Sequence, residues 1–145
     1  MFARRSLRIA RDLVEERLAR GLQSGYRFLF ADGDHPSGAL DGYSCYGPVD
    51  GTERRWDLFW IAVAPSRQGH GLGRALLAAP RPRSPTSAAA WSGSRRAARR
   101  STNRRGFYER CGCHREAELR DVYAPGDAKV VYLREVPAAG GRGGR

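Results

Sequence analysis

The sequence predicts a mixed α/β domain, because a strand, a glycine-rich turn and a helix follow one another between residues 58 and 77. The apolar run at 58–63 is long enough for one buried strand. Pro65 then ends the sheet, since proline has no N–H for a ladder hydrogen bond. Three alternating glycines follow, and they lead into the good helix formers at 74–77.

The size and composition of the chain favour a single domain. A chain of 145 residues can form one hydrophobic core, and no apolar run approaches the roughly 20 residues of a membrane span. The charged N-terminus also lacks the apolar stretch of a secretory signal. We therefore expect one domain over residues 1–136 and a disordered tail at 137–145, which has no core-forming residue.

The N-terminal segment predicts an amphipathic helix from Ser6 to Arg20. Ser6 is a suitable N-cap and Gly21 a suitable stop. The apolar residues that recur at helical spacing are Leu7, Ala10, Leu13, Val14 and Leu18.

Two strands are predicted ahead of the central strand at 56–63. Aromatic residues alternate at 26–31, and turn-forming residues fill 32–38. A returning strand is predicted at 40–46. Near the C-terminus, residues 116–123 and 129–136 predict a closing hairpin.

Residues 80–103 do not continue this pattern. Pro80, Pro82 and Pro85 limit the preceding helix to about two turns, since each removes a helix hydrogen bond and adds a clash. No segment between 87 and 100 predicts a buried strand, and the composition there is typical of a linker. The interval is either an irregular insert or an aberrant segment read in a shifted frame, which sequencing the coding DNA would test.

The strand, turn and helix form a cradle for a diphosphate. Glycines allow the backbone to approach a ligand, and the first N–H groups of a helix favour an anion. A Walker loop is excluded because Arg74 and Ala75 follow the last glycine. A dinucleotide fingerprint is excluded because the glycines alternate rather than follow the spacing G-x-G-x-x-G.

Residues 68–73 instead follow the pattern Q/R-x-x-G-x-G/A, with V-x-P upstream at 63–65. This resembles the acetyl-CoA-binding segment of the GNAT (N-acetyltransferase) superfamily. Residues 107–112 resemble its second landmark, F-Y-E-x-x-G. The resemblance covers about 6–77 and 104–136. It implies the GNAT fold, a splayed mixed sheet flanked by helices with acetyl-CoA in the splay. The family's first strand is expected to be missing here.

The resemblance also assigns site residues. Backbone N–H groups at the end of the central strand would hold the acetyl carbonyl and the pantetheine arm, and the turn with the helix start would hold the diphosphate. Tyr108 matches a tyrosine that often acts as general acid toward the thiolate; alternatively it packs against the sheet. The expected cofactor residues are Ile61, Ala62, Val63, Gln68, Gly69, His70, Gly71, Leu72, Gly73 and Arg74.

A general base is less well defined by the sequence. Glu53 lies in the loop before the central strand and Asp57 lies within that strand. Either could accept a proton directly or through water. A carboxylate at such a position is more often simply solvated, and many members of the family use no dedicated base. His70 is expected to face solvent and is not assigned a catalytic role.

Cysteines and arginines define the remaining expectations. The three cysteines, Cys45, Cys111 and Cys113, have no zinc spacing, so we expect no metal and reduced thiols in a cytoplasm. The net charge of +11 arises largely between Arg81 and Arg105, where eight arginines and no acid occur. Such a cluster can bind nucleic acid, but a solvated loop is favoured because few aromatic residues interleave.

The function implied by the resemblance is acetyl transfer from acetyl-CoA to a primary amine. The acceptor would be a small molecule or a peptide, and a homodimer is compatible with the sequence. A degenerate protein that only binds CoA, or that is inactive, is the first alternative. An arginine-driven nucleic-acid binder is the second.

Overall fold

A computed structural model describes residues 2–33, 38–53, 55–79, 89–96 and 102–136. Within these residues the chain forms three α-helices, six strands and two short 3-10 turns. The helices are α1 (Phe2–Arg20), α2 (Leu72–Ala78) and α3 (Thr102–Arg110). The strands are β1 (Arg27–Asp32), β2 (Leu40–Pro48), β3 (Arg55–Val63), β4 (Ala89–Arg96), β5 (His114–Ala124) and β6 (Asp127–Val136). The 3-10 turns are Gly21–Ser24 and Pro65–Arg67.

The six strands form one sheet in the order β1-β2-β3-β4-β6-β5. Strands β1 and β2 are antiparallel, as are β4 with β6 and β5 with β6. Strand β3 is parallel to β4, and the ladder between them runs from Arg55–Ala90 to Leu58–Gly93. This mixture of parallel and antiparallel pairs confirms the predicted mixed α/β class.

The chain divides into two compact units, and β3 contributes to both of them. The first unit contains residues 1–47 and 59–77. Its buried side chains lie on α1, on β2 and on α2, the helix after the glycine turn: Ala10, Asp41, Ser44, Cys45, Leu76 and Leu77. The Ser44 hydroxyl donates to the Leu76 carbonyl at 3.3 Å, which ties β2 to α2 inside this unit.

The second unit contains residues 48–58 and 78–145. Strand β6 supplies much of its core, since Ala128, Val130 and Tyr132 are buried at alternate positions. This alternation is what a strand with one covered face produces, and it confirms the predicted last strand. Every residue of β5 is exposed, as expected for the edge strand of a sheet.

Two sequence-based predictions about the elements need correction. Helix α1 begins at Phe2 rather than at Ser6, because the upstream Ala and Arg residues are themselves good helix formers. Ser6 is therefore inside the helix and is not its N-cap. The predicted stop is confirmed, since the α-helix ends at Arg20 and Gly21 has a φ of +58°.

The second correction is strand β4, which lies where no strand was predicted. Residues 89–96 pair along their whole length with β6, and four of them pair with β3. A strand between two partners is fixed by backbone ladders on both sides, and such tertiary context overrides a weak propensity. The rest of the interval 80–101, like the tail 137–145, lies outside the described residues, and its interpretation as an insert or a shifted frame stays a prediction.

Gly42 in β2 is required for close packing beneath the end of β3. A Cβ at this position would lie 2.7 Å from the Ala62 carbonyl oxygen and 3.1 Å from Leu76 Cδ1. Because a backbone oxygen cannot move away cheaply, we expect Gly42→Ala to lower the free energy of unfolding by about 1–3 kcal/mol. Urea unfolding of the variant and the parent measures this, and equal midpoints with equal slopes would contradict it.

No helix of the described segments is long and apolar enough to cross a membrane.

Candidate functional site

The end of β3 forms the first part of the candidate site. Ile61, Ala62 and Val63 are half-buried at the last positions of the strand. Pro65 opens a 3-10 turn directly afterwards, so the predicted stop after the central strand is confirmed. The Val63 carbonyl accepts a hydrogen bond from the Gln68 side-chain amide at 3.1 Å. The Gln68 side chain therefore folds back and links the turn to the strand end.

The glycine turn has the backbone conformation for which glycine is needed. Gly69 and Gly71 have φ values of +82° and +83°, a region that residues with a Cβ enter only at a cost. A Cβ built on either glycine meets no protein atom within 4 Å. The space above both glycines is therefore open on the protein side, so a ligand can approach the backbone there.

The start of α2 supplies backbone donors beside this open space. The Ala75 N–H donates to the Gly71 carbonyl at 3.0 Å, closing the first helical turn. The N–H groups of the three residues before Ala75, which are Leu72, Gly73 and Arg74, have no carbonyl partner within the helix, because a helix leaves its first N–H groups unpaired internally. The exposed Arg74 side chain adds a positive charge to the same turn.

His70 is exposed and makes a local contact. Its Nδ1 lies 3.0 Å from the Gln68 carbonyl oxygen, a distance at which a protonated Nδ1 would donate. The side chain faces solvent, as the sequence predicts.

Asp41 is a residue of this region that sequence reasoning did not identify. Its carboxylate Oδ2 lies 3.0 Å from Arg67 Nε, and its side chain is only 7% exposed, against 53% for Arg67. The Asp41 carbonyl also accepts a hydrogen bond from the Ala64 N–H at 2.8 Å. No sequence motif could have indicated Asp41, since it lies on β2, far along the chain from the turn that it contacts.

Tyr108 lies in α3, within the second unit of the chain. Its ring stacks on the buried Tyr132 ring of β6, with centroids 5.0 Å apart and an angle of 15° between the ring planes. Phe107 contacts the Tyr108 ring edge-on at 5.3 Å. The rings on both sides hold the phenol in one orientation. The structure therefore shows the packing that the sequence left open as the alternative, and this packing leaves a chemical role for the hydroxyl open.

The two carboxylates considered as general base differ in their surroundings. Glu53 is exposed in a bend before β3, whereas Asp57 is half-buried within β3. Burial raises the pKa of Asp57 above the ordinary aspartate value, and the positive charge of Lys129 opposes that rise. A carboxylate with a raised pKa accepts a proton more readily than a solvated one. Asp57 is therefore better suited than Glu53 to act as a general base.

The predicted cofactor residues thus come together in the first unit, where the strand end, the turn and the start of α2 are linked by hydrogen bonds. Tyr108 and Asp57 belong to the second unit.

All three cysteines are free thiols. Burial raises the pKa of the Cys45 thiol to about 12, and it raises the pKa of Cys113 as well. A buried thiol with a raised pKa carries little thiolate at neutral pH and is a poor nucleophile. None of these observations gives Cys45 or Cys113 a role as nucleophile.

Comparisons with known proteins identify the family of the chain. A family model for the acetyltransferase (GNAT) domain matches residues 24–112, which is more than half of the chain. A crystal structure of a protein from Desulfovibrio desulfuricans assigned to the GNAT family is 40% identical, with a TM-score of 0.77. That match covers 89% of this chain and 80% of the other. No match was found among curated proteins.

More distant structures share the fold. Ribosomal-protein-alanine N-acetyltransferase from Brucella melitensis is 19% identical with a TM-score of 0.61, and the match covers 90% of this chain and 78% of the other. An aminoglycoside 6'-N-acetyltransferase in complex with coenzyme A is 12% identical with a TM-score of 0.60, and the match covers 87% and 88%. The family model and the 40% identical structure show that the chain belongs to the GNAT acetyltransferase family.

Proposed function

We propose that this protein transfers an acetyl group from acetyl-CoA to a primary amine. The observation that carries the proposal is the open glycine turn, in which Gly69 and Gly71 have positive φ values and no protein atom lies where a Cβ would be. In a chain of the GNAT family, such a turn between a strand and a helix suits the diphosphate of a CoA thioester. The fold and the local chemistry thus support the same ligand.

The turn would bind the diphosphate through the backbone and one side chain. The N–H groups of Leu72, Gly73 and Arg74 are donors at a helix start, where negative charge is favoured. The Arg74 guanidinium adds a full positive charge, and a hydrogen bond to a charged group is stronger than one between neutral groups. These residues bind and orient the cofactor; they take no part in bond making.

The strand end would hold the acetyl group. Backbone N–H groups at Ile61, Ala62 and Val63 are the proposed donors to the acetyl carbonyl and the pantetheine arm. When an amine attacks the thioester, negative charge develops on that carbonyl oxygen, and a preorganised donor there contributes about 3–4 kcal/mol to transition-state stabilisation. The Gln68–Val63 hydrogen bond keeps the strand end and the turn in fixed relation.

Tyr108 and Asp57 are proposed for the proton transfers. An ordinary tyrosine is protonated at neutral pH, so Tyr108 can donate a proton to the thiolate that leaves. Asp57, whose pKa is raised by burial, is proposed to take the proton of the amine, directly or through water. The net reaction moves one acetyl group from sulfur to nitrogen and one proton from nitrogen to sulfur.

The raised pKa of Asp57 predicts a pH-dependent contribution to stability. The folded protein retains the Asp57 proton at a pH where the unfolded chain has lost it, so the contribution of this group to stability is present at low pH. It is lost as the pH rises from about 4 through the raised pKa. Since asparagine does not titrate, the stability of Asp57→Asn relative to the parent should rise over that range and then level off.

Urea unfolding of Asp57→Asn and the parent between pH 3.5 and 7 measures this dependence. Glu53→Gln, which removes one carboxylate at an exposed position, is the matched control and should show a smaller change. If the stability of Asp57→Asn relative to the parent falls as the pH rises, the expected sign is wrong.

Acetyl-CoA binding to the purified chain, measured by calorimetry, tests the proposed function. Saturable binding is expected, followed by turnover of an amine. The structural neighbours act on ribosomal-protein alanine and on aminoglycosides, so the amine screen should contain a peptide with an N-terminal alanine and an aminoglycoside. A folded chain that binds no acetyl-CoA would overturn the proposal. Binding without turnover of any amine would instead indicate a degenerate family member.

A further inference from the structure

We propose that Asp41 is a positioning residue that holds the segment before the glycine turn in its cofactor-binding conformation, through an ion pair with Arg67. The inference rests on the proposed function, because it concerns the same acetyl-CoA site. It adds a residue on a different strand, β2, for which neither the sequence nor the family match provides a role.

The first observation is a buried negative charge beside the turn. The Asp41 side chain is 7% exposed, and its Oδ2 lies 3.0 Å from Arg67 Nε. An ionised carboxylate is costly to bury unless it is paired, so the ion pair compensates part of this cost. Arg67 is 53% exposed on the other side, and its long side chain is ordered toward β2 by this contact.

The second observation is that the contacts of Asp41 form a closed ring. The Asp41 carbonyl accepts from the Ala64 N–H at 2.8 Å, and the Ala64 carbonyl accepts from the Arg67 N–H, also at 2.8 Å. The Arg67 side chain then returns to the Asp41 carboxylate. Two of these contacts hold the ends of the segment 64–67 against β2, and the third closes the turn between those ends.

This ring leads directly into the cradle. Arg67 precedes Gln68, whose side chain bonds to the Val63 carbonyl and whose own carbonyl contacts His70. Gly69 and Gly71 follow with their positive φ values. Without the ring, the entry to the turn would have to be ordered when the cofactor binds, and that ordering would oppose binding.

The removal of the Asp41 carboxylate has opposite effects on binding according to whether Asp41 acts through its charge alone or by positioning the segment. Acetyl-CoA carries several negative charges, so neutralising a nearby aspartate would strengthen binding if Asp41 acted only through its electrostatic field. If Asp41 positions the segment, the same neutralisation weakens binding. The sign of the change therefore distinguishes the two roles without depending on its size.

Calorimetry with acetyl-CoA on four proteins tests the proposal: the parent, Asp41→Asn, Arg67→Gln and the double variant. Asp32→Asn is the matched control, because Asp32 is exposed on β1 opposite Leu40, the neighbour of Asp41, and its loss removes the same charge. We expect each single variant to weaken binding about tenfold, as for the loss of a charged partner. The double variant should be no weaker than Asp41→Asn, since either substitution breaks the same Asp41–Arg67 ion pair.

Several outcomes would overturn the inference. Unchanged or tighter acetyl-CoA binding by folded Asp41→Asn contradicts it. A double variant in which the two single effects multiply also contradicts it, because Arg67 would then contact the cofactor independently of Asp41. If Asp41→Asn does not fold, acetyl-CoA binding by Arg67→Gln, at a half-exposed position, tests the role of the ion pair. Arg67→Lys is then expected to restore part of the affinity that Arg67→Gln loses. Failure of the parent itself to bind acetyl-CoA would contradict the proposed function; binding by the parent with unaffected variants would contradict only the role of Asp41.

Discussion

Replacing Gly71 by glutamate is expected to lower acetyl-CoA affinity at least a hundredfold. Two effects act in the same direction. The φ of +83° at Gly71 would be strained for any residue with a Cβ, which costs about 1–2 kcal/mol. The new carboxylate would also extend into the open space above the turn and repel the diphosphate. A hundredfold loss corresponds to about 2.8 kcal/mol, so the repulsion has to supply about 1–2 kcal/mol beyond the strain. Two unit charges about 4 Å apart near a protein surface interact with about 4 kcal/mol, which is enough.

The control separates an effect at the glycine turn from the general effect of a strained, charged substitution. Gly51 has a φ of +74° and also has no atom within 4 Å of a built Cβ, but it lies in the loop between β2 and β3. Gly51→Glu therefore carries comparable backbone strain and the same added charge at a position outside the glycine turn and outside the first unit, and it should bind acetyl-CoA as the parent does. Equal binding by folded Gly71→Glu and the parent would show that this turn does not hold the diphosphate.

Removing the Tyr108 hydroxyl is expected to lower kcat about a hundredfold, with the KM for acetyl-CoA nearly unchanged. A positioned general acid contributes about a hundredfold or more to a rate. Phenylalanine keeps the ring, so the stacking on Tyr132 at 5.0 Å is preserved. The substitution thus removes the proton donor and leaves the packing.

Steady-state kinetics with the best amine of the screen would measure this effect. Tyr123→Phe, on the exposed strand β5, is the matched control for the loss of one phenol and should keep the parent's kcat. If Tyr108→Phe retains full kcat, Tyr108 serves only to pack α3 against β6. A rise in KM with constant kcat would instead indicate a role in binding.

The part of the fold that sequence reasoning predicted well is the part governed by local rules. Strand β3 ends where Pro65 removes a ladder donor, and α2 stops at Ala78, two residues before Pro80. The alternation in β6 identifies its covered face. In each case the interaction that ends or orients the element involves residues only a few positions away, so it can be predicted from the local sequence.

The predictions that failed depend on partners remote in the chain. Strand β4 has a composition that suggests a linker, yet its backbone pairs with β3 on one side and β6 on the other. The ladder hydrogen bonds of a central strand come from neighbours that the local sequence does not specify. Asp41 escaped notice for the same reason, because Arg67 approaches it only after β2 and β3 have come together.

The sequence by itself determined the family, the strand, turn and helix of the cradle, and the candidate cofactor residues at 61–63 and 68–74, because glycine, proline and apolar periodicity act over short distances. Only the tertiary structure decided that β4 exists, that Gly42 allows Ala62 and Leu76 to approach, and that Asp41 is buried against Arg67. Contacts of this second kind join residues that are far apart in the sequence. Packing and charge pairing between elements stabilise them. They appear only when the whole chain has folded.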